Sequence, residues 1–226
     1  MLFRSVQAYE LQDGLWSPVG NPIVSDQDFR FYSALAMSAD GPTLAVAGTR
    51  NSTFWRFRAY RFIDNEWQQL GTTVASSEES DLFAWSLSLS SDGNRIAAGA
   101  PKANDNGADS GNVTIWEYTM DNWTQMGSAI SGEEIRDETG YSVSLSGDGN
   151  RLAVGDRFYD DPEFNAGRLR VFEWVETDWQ LVGEPSIGED RADFYGQAVV
   201  ISEDGSTVVA GAPQAGEDTQ GRIKVF

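Results

Sequence analysis

The sequence predicts an all-β chain, a β-propeller of four-stranded antiparallel blades, and three regularities predict it. Asp-Gly recurs at Asp40-Gly41, Asp92-Gly93, Asp148-Gly149 and Asp204-Gly205, at spacings of 52, 56 and 56 residues. Tryptophan recurs at Trp16, Trp67, Trp123 and Trp179, at spacings of 51, 56 and 56. Each Trp is followed four residues later by glycine, at Gly20, Gly71, Gly127 and Gly183. A repeated unit of this length holding four short strands is the pattern of propeller blades.

The third full repeat shows each strand. Tyr141, Val143 and Leu145 alternate with Ser142, Ser144 and Ser146, the period-two pattern of a strand, which places strand a at 141–146. Asp148-Gly149 supplies a hairpin turn that tolerates positive φ, and strand b follows at 151–155. Strands c and d are expected at 167–174 and 178–183. The small serines of strand a suit the crowded axis. Tyr9, Tyr60, Trp116 and Phe172 on strand c, with the d-strand tryptophans, suit the wider outer gaps, where buried aromatics dominate packing. Blade packing is preferred over carbohydrate stacking for these rings because they hold a fixed place in every repeat.

The repeat divides the chain into a partial blade at 1–20, blades at 21–71, 72–127 and 128–183, and a partial blade at 184–226, one propeller domain or a fragment of one. Two arrangements stay open, a ring of four blades or an arc of a larger propeller. An arc exposes blade edges and so implies missing blades or a partner chain.

Composition narrows the function. The net charge is −19, which argues against nucleic acid, since phosphate binding relies on Lys and Arg. Cysteine and histidine are absent, which removes disulfides, Ser-His-Asp and Cys-His catalysis, and His-ligated zinc. No run of about 18 apolar residues predicts a membrane span, and the first ten residues lack the apolar core of a signal peptide.

The stretches "DLFAWSLSLSSDGNRIAAGAP" (81–101), "DETGYSVSLSGDGNRLAVG" (137–155) and "DFYGQAVVISEDGSTVVAGAP" (193–213) resemble FG-GAP repeats, the blades of integrin α-subunit propellers. Their Gly-Ala-Pro endings and the openings "GYSV" and "YGQA" carry the likeness, which extends over the whole chain. The first full repeat, with "GTR" at 48–50, is degenerate. The resemblance implies a propeller acting in protein binding or cell adhesion, in an extracellular or cell-surface setting. Sequons at Asn51, Asn112 and Asn122 add little to that setting. Family members that bind calcium carry a D-x-D/N-x-D-G-x-x-D loop, whose alternate oxygen ligands surround the ion. Here only the Asp-Gly survives, with Ser144, Ser146 and Leu152 around Asp148, and Ser88, Ser90 and Ile96 around Asp92. These hairpins therefore read as turns, and no cofactor is expected with certainty.

Propeller geometry puts the a–b and c–d hairpins on one face and the b–c and d–a loops on the other. The d–a segments 21–30, 72–82, 128–138 and 184–194 carry −1, −3, −3 and −3. The b–c segments 49–55, 101–110, 156–166 and 212–220 carry +1, −1, −3 and −2, bringing the loops to −15. The expectation is a strongly acidic loop face opposite a nearly neutral one. Candidate ligand-binding residues are the recurring Asp81, Asp137 and Asp193 with Glu133 and Glu189. Candidate metal ligands are Asp105, Asp109, Asp160, Asp161 and Glu163, from the oxygen-rich loops "NDNGADSG" (104–111) and "DRFYDDPEFN" (156–165). The expected function is a non-catalytic binding or adhesion module for a protein, glycan or cation, with a basic partner favoured. The alternatives are an intracellular scaffold and a propeller glycosidase or lyase. Two carboxylates suffice for glycoside hydrolysis, but these carboxylates recur from blade to blade, and the non-repeating Glu163 and Arg157 form no recognised constellation.

Overall fold

The apolar run after each Asp-Gly pair becomes a buried inner strand, because a run without polar alternation has both faces covered. The computed structural model describes residues 5–39, 42–50, 54–76, 78–216 and 220–226. The Asp40-Gly41 turn and the Asn51 sequon lie outside these residues. All regular elements described are strands, and no helix is long and apolar enough to cross a membrane.

Five antiparallel sheets follow one another in chain order. The first holds β1 (Ser5–Gln12) and β2 (Leu15–Val24). The second holds β3 (Arg30–Met37), β4 (Thr43–Arg50), β5 (Phe54–Ile63) and β6 (Glu66–Ala75). The third holds β7 (Ser86–Leu89), β8 (Arg95–Ala100), β9 (Asn112–Thr119) and β10 (Asn122–Gln125), with the short β11 (Ile130–Ser131) on β9. The fourth holds β12 (Thr139–Leu145), β13 (Arg151–Asp156), β14 (Arg168–Val175) and β15 (Asp178–Leu181), with β16 (Ser186–Ile187) on β14. The fifth holds β17 (Ala198–Ile201), β18 (Val208–Ala212) and β19 (Arg222–Val225). The predicted four-stranded antiparallel propeller architecture is therefore present. Among the described residues, no strand pairing joins the first sheet to the last.

Each gap between successive sheets contains one apolar cluster. Ile23 meets Phe29, Phe31 and Tyr60 in the first gap, and Phe57 meets Phe83, Ile96 and Trp123 in the second. Ile115 and Met126 meet Leu152, Phe172 and Trp179 in the third, and Leu169 meets Tyr195, Ile201 and Val208 in the fourth. Three of the four d-strand indoles span a gap, whereas Trp16 is exposed and does not fill one as expected. Trp67 Nε1 donates to Val19 O at 3.0 Å, Trp123 Nε1 to Leu70 O at 2.8 Å, and Trp179 Nε1 to Met126 O at 3.0 Å. The glycine after the acceptor lets the indole lie against the backbone at Gly20 and Gly71, and at Gly127 the ring so placed is that of Trp174. A Cβ at Gly71 would stand 3.0 Å from the Trp123 ring. The Trp-to-Gly spacing is thus one interface motif shared by two blades.

Strand-a serines tie blade to blade near the axis. Ser86 Oγ donates to Gly140 O at 2.8 Å and Ser142 Oγ to Gly196 O at 2.7 Å. Ser88 Oγ accepts from Leu145 N at 2.9 Å and Ser144 Oγ from Ile201 N at 3.1 Å. Alternating serine is therefore a strand pattern in which the polar positions bond to the next blade.

The Asp-Gly hairpins are closed by their own side chains. Asp148 Oδ1 accepts from Ser146 Oγ at 2.6 Å and Asn150 N at 2.9 Å, and its Oδ2 from Asn150 Nδ2 at 3.0 Å. Asp92 repeats the set with Ser90 and Asn94, and Asp204 uses Ser202 and Ser206. These oxygens serve the turn, as the degenerate metal loop implied. Ser202 and Ser206 hold the Asp204 carboxyl down to about 2. At Asp92 and Asp148 burial works against ionisation, but the serine and asparagine hydrogen bonds outweigh it and leave the pKa below the usual value. A depressed folded pKa supports stability above the unfolded value, near 4, and that support drains as pH falls towards 2. The triple variant Asp92→Asn, Asp148→Asn, Asp204→Asn should therefore lose melting temperature less steeply between about pH 4 and pH 2 than the parent chain. Parallel slopes in a thermal titration would contradict this.

Candidate functional site

Two of the d–a loops share one construction, and a third uses a buried aspartate differently. Asp137 Oδ2 accepts from Glu133 N at 2.9 Å and Glu134 N at 3.0 Å. Asp193 Oδ2 accepts from Glu189 N and Asp190 N, both at 3.0 Å. Asp81 Oδ1 accepts from Phe83 N at 3.0 Å, and Ser76 Oγ bonds its other oxygen. All three carboxylates are buried, and burial raises the pKa of Asp81 and Asp137. The three predicted ligand-binding aspartates therefore sit beneath the loop surface and shape it.

The two predicted glutamates are exposed but paired. Arg168 Nη1 donates to Glu133 Oε2 at 2.8 Å, and Arg170 Nη1 lies 3.8 Å from Glu133 Oε1. Glu189 takes the same place one blade on, with Lys224 Nζ at 2.8 Å and Arg222 beside it. Below Glu133, Asp156 is wholly buried and its Oδ2 accepts from Arg168 Nε and Arg170 Nε, each at 2.8 Å. Burial opposes the Arg168 charge, but Asp156 and Glu133 outweigh it and raise its pKa.

The oxygen-rich loops receive the next blade's d–a loop. Arg136 N donates to Ala108 O at 2.9 Å and Glu138 N to Asp109 O at 3.1 Å, and Ala192 N and Phe194 N bond Phe164 O and Asn165 O likewise. Within these loops Asp105 Oδ2 accepts from Asn112 Nδ2 at 2.9 Å and Ser131 Oγ at 2.7 Å. Asp109 pairs with Lys102 at 2.9 Å, and Asp160 Oδ1 accepts from Asn165 N at 2.7 Å. Asp161 and Glu163 are exposed on the same loop. Among the described residues, no group of three or more carboxylates is arranged to hold a metal ion.

The expected charge asymmetry between the faces does not hold. Arg56, Arg58, Arg168, Arg170, Arg222 and Lys224 lie at the b–c end of their strands, and counting loop segments alone leaves them out. Over the described residues, the loop face then carries nineteen carboxylates against twelve cations. The hairpin face carries thirteen against three, so it is the more acidic of the two. The first residues of strand c, folded back onto the loops, make the difference.

On the loop face an aromatic strip meets one buried acid, and Arg157, Phe158 and Glu138 in it break the repeat. Trp85 and Tyr141 open strand a in the third and fourth sheets, and their rings lie 5.7 Å apart. The Arg157 guanidinium sits 3.6 Å over Tyr141 and 4.3 Å from the Phe158 ring, and Phe158 meets Phe194 edge-on at 5.5 Å. Arg157 Nε donates to Glu138 Oε2 at 2.7 Å, and Lys102 holds the other oxygen of Glu138. All four rings are half-buried. Glu138 stands where the neighbouring repeats have Leu82 and Phe194. Of this group the sequence singled out only Arg157, as non-repeating, and the signal for Glu138 is the same break in the repeat.

No family model matches the chain, and no curated protein does. Solved structures do. A TolB structure from Acinetobacter baumannii is 13% identical with a TM-score of 0.53, covering 98% of this chain and 45% of that one. A putative 6-phosphogluconolactonase from Bacteroides fragilis is 12% identical with a TM-score of 0.58, covering 98% of this chain and 67% of that one. The U3-55K structure is 14% identical with a TM-score of 0.51, covering 89% and 55%. The chain spans about half the length of the TolB and U3-55K structures. At these identities the likeness is one of fold, and what it establishes is a β-propeller.

Proposed function

We propose that the chain is a non-catalytic binding module, a propeller of FG-GAP type that engages a protein partner on its loop face in an adhesion role outside the cell. The observation that carries this reading is the strip of Trp85, Tyr141, Arg157 and Phe158. Trp, Tyr and Arg are the residue types that dominate binding hot spots, and here they are half-exposed and held in place by stacking and by Glu138. The repeating carboxylates serve the loops, and the ion pairs neutralise much of the face. The partner is therefore recognised through aromatic contact more than through net charge.

Labelled intact chain applied to peptide and glycan arrays tests this. Peptide binding is expected to survive calcium chelation and to change little with salt. Tyr141→Ala or Trp85→Ala should each weaken it roughly thirtyfold, the effect of removing a hot-spot side chain worth about 2 kcal/mol. Binding confined to glycans, binding indifferent to both substitutions, or turnover of a bound oligosaccharide would overturn the reading.

A further inference from the structure

Arg157 and Glu138 enter the chain together, in one repeat. The third sheet has Pro101 and Leu82 in their places, and the fifth has Pro213 and Phe194. The loops close alike with or without the pair. Phe158 N donates to Asp137 O at 3.4 Å, as Lys102 N does to Asp81 O at 3.0 Å one blade earlier. What the pair adds is a guanidinium fixed at the surface. The Glu138 side chain is 3% exposed and that of Arg157 is 22% exposed. Arg157 Nε is engaged by Glu138 Oε2, and its Cζ lies 3.6 Å from the centre of the Tyr141 ring and 4.3 Å from that of Phe158.

The free polar groups of the strip can all donate. Among the described residues, Arg157 Nη1 and Nη2, Trp85 Nε1 and Tyr141 Oη have no hydrogen-bond partner. None of them is among the buried atoms left unpaired, which are Thr49 Oγ1, Arg56 Nε and Arg168 Nη2, so they open to solvent. Lys102, the other cation on Glu138, is also held by Asp109. With Nε engaged, the guanidinium keeps its Nη1–Nη2 edge, a planar fork of donors that matches a carboxylate. The rings and Glu138 already hold that fork in place, so a ligand loses little rotamer entropy in using it. The loop face carries nineteen carboxylates against twelve cations, so it suits one carboxylate set on the fork rather than an acidic run.

We propose that Arg157 is the carboxylate-binding point of the loop face. It takes one acidic group of the protein partner, an Asp or Glu side chain or a C-terminal carboxylate, and an adjoining apolar side chain lies on Trp85 and Tyr141. This rests on the strip being the protein-binding surface proposed above, and it adds what the partner must carry. A single pair shielded between rings is screened far less than an exposed one, which agrees with binding that changes little with salt.

Labelled intact chain applied to a peptide array printed in matched sets tests the site. Each peptide is present with its Asp and Glu residues intact and exchanged for Asn and Gln, and each with a free and an amidated C terminus. Bound peptides are expected to lose roughly tenfold or more in one of the two exchanges, the effect of removing a hydrogen bond between charged groups. Loss on the side-chain exchange marks an internal acid, and loss on amidation marks the terminus. The Arg157→Gln chain should bind both members of each pair alike, and Arg157→Lys, which keeps the charge and loses the fork, should regain only a small part of the discrimination. The peptide exchanges leave the protein untouched, so the result does not depend on how those variants fold. Binding that needs Trp85 and Tyr141 but is indifferent to both exchanges overturns the carboxylate and leaves the protein-binding role standing. Discrimination that persists in Arg157→Gln overturns the part given to Arg157. Absence of peptide binding, or binding to acidic glycans alone, overturns both proposals.

Discussion

Replacing Asp156 with alanine should lower the unfolding free energy by roughly 3–5 kcal/mol, the usual cost of leaving a buried charge without its partner. For a domain of this size that is a fall of roughly 6–20 °C in melting temperature. Asp156 is fully buried, and both Arg168 and Arg170 aim Nε at the same oxygen, while Thr139 Oγ1 donates to the other at 2.7 Å. Removing the carboxylate leaves two guanidiniums crowded together, with Arg168 Nη2 already 3.7 Å from Asp137 and without a hydrogen-bond partner. The neighbouring sheets show a different solution in the same place. Where the fourth sheet has Thr139 and Asp156, the third has Phe83 and Ala100 and the fifth has Tyr195 and Ala212, all buried. A large ring over alanine replaces a hydroxyl over a carboxylate. The double variant Thr139→Phe, Asp156→Ala should therefore recover more than half of the single variant's loss, with Glu133 left to pair the arginines. Urea titrations of the two variants decide the matter. Equal destabilisation would mean that the blades do not exchange these solutions.

The parts of the fold that were legible in the sequence are those that recur for a local reason. Asp148-Gly149 had to be a turn wherever it appeared, and the Ser-x-Ser-x strand next to it had to face something small. The meaning of Trp followed by Gly was only half legible. Periodicity showed that the two belong together, but the ring of one repeat rests on the glycine of the repeat before. The candidate site was less legible, because a carboxylate in a loop looks the same whether it points to solvent or turns inward. Asp137 and Asp193 turn inward to cap their own loop amides, which only the backbone course reveals. Arg168 and Arg170 read as strand residues with no bearing on the loops, yet their side chains reach back to Glu133. Net charge summed by segment fails in a propeller for this reason. Strands end at the faces, and the long cationic side chains near those ends belong electrostatically to the loops.

The same interface logic makes the tryptophans unequal. Trp123→Ala should cost about 3–5 kcal/mol, as large-to-small changes at buried aromatics do, whereas Trp16→Ala should stay within about 0.5 kcal/mol, as an exposed position implies. Trp123 is 5% exposed and Trp16 is 69% exposed. Trp123 meets Phe57 edge-on at 6.0 Å and Tyr118 at 5.4 Å, and it donates to Leu70 O at 2.8 Å. Its loss opens a cavity between two sheets and leaves a carbonyl without its partner. In a stack where each sheet packs chiefly on its neighbours, with Ser91 Oγ to Glu203 Oε1 at 3.3 Å joining the third and fifth, stability is close to a sum of unit terms and interface terms. Damage to one interface should then weaken the coupling across it more than the sheets themselves. The expected signature of Trp123→Ala is thus a lower midpoint together with a shallower denaturant slope, the two parts of the chain unfolding out of step. Trp123→Phe, which keeps most of the ring and loses the N–H, should lower the midpoint by a smaller amount and keep the slope. A single sharp transition for Trp123→Ala with the parent slope would show that the sheets unfold as one unit and that the interface is not the weak joint.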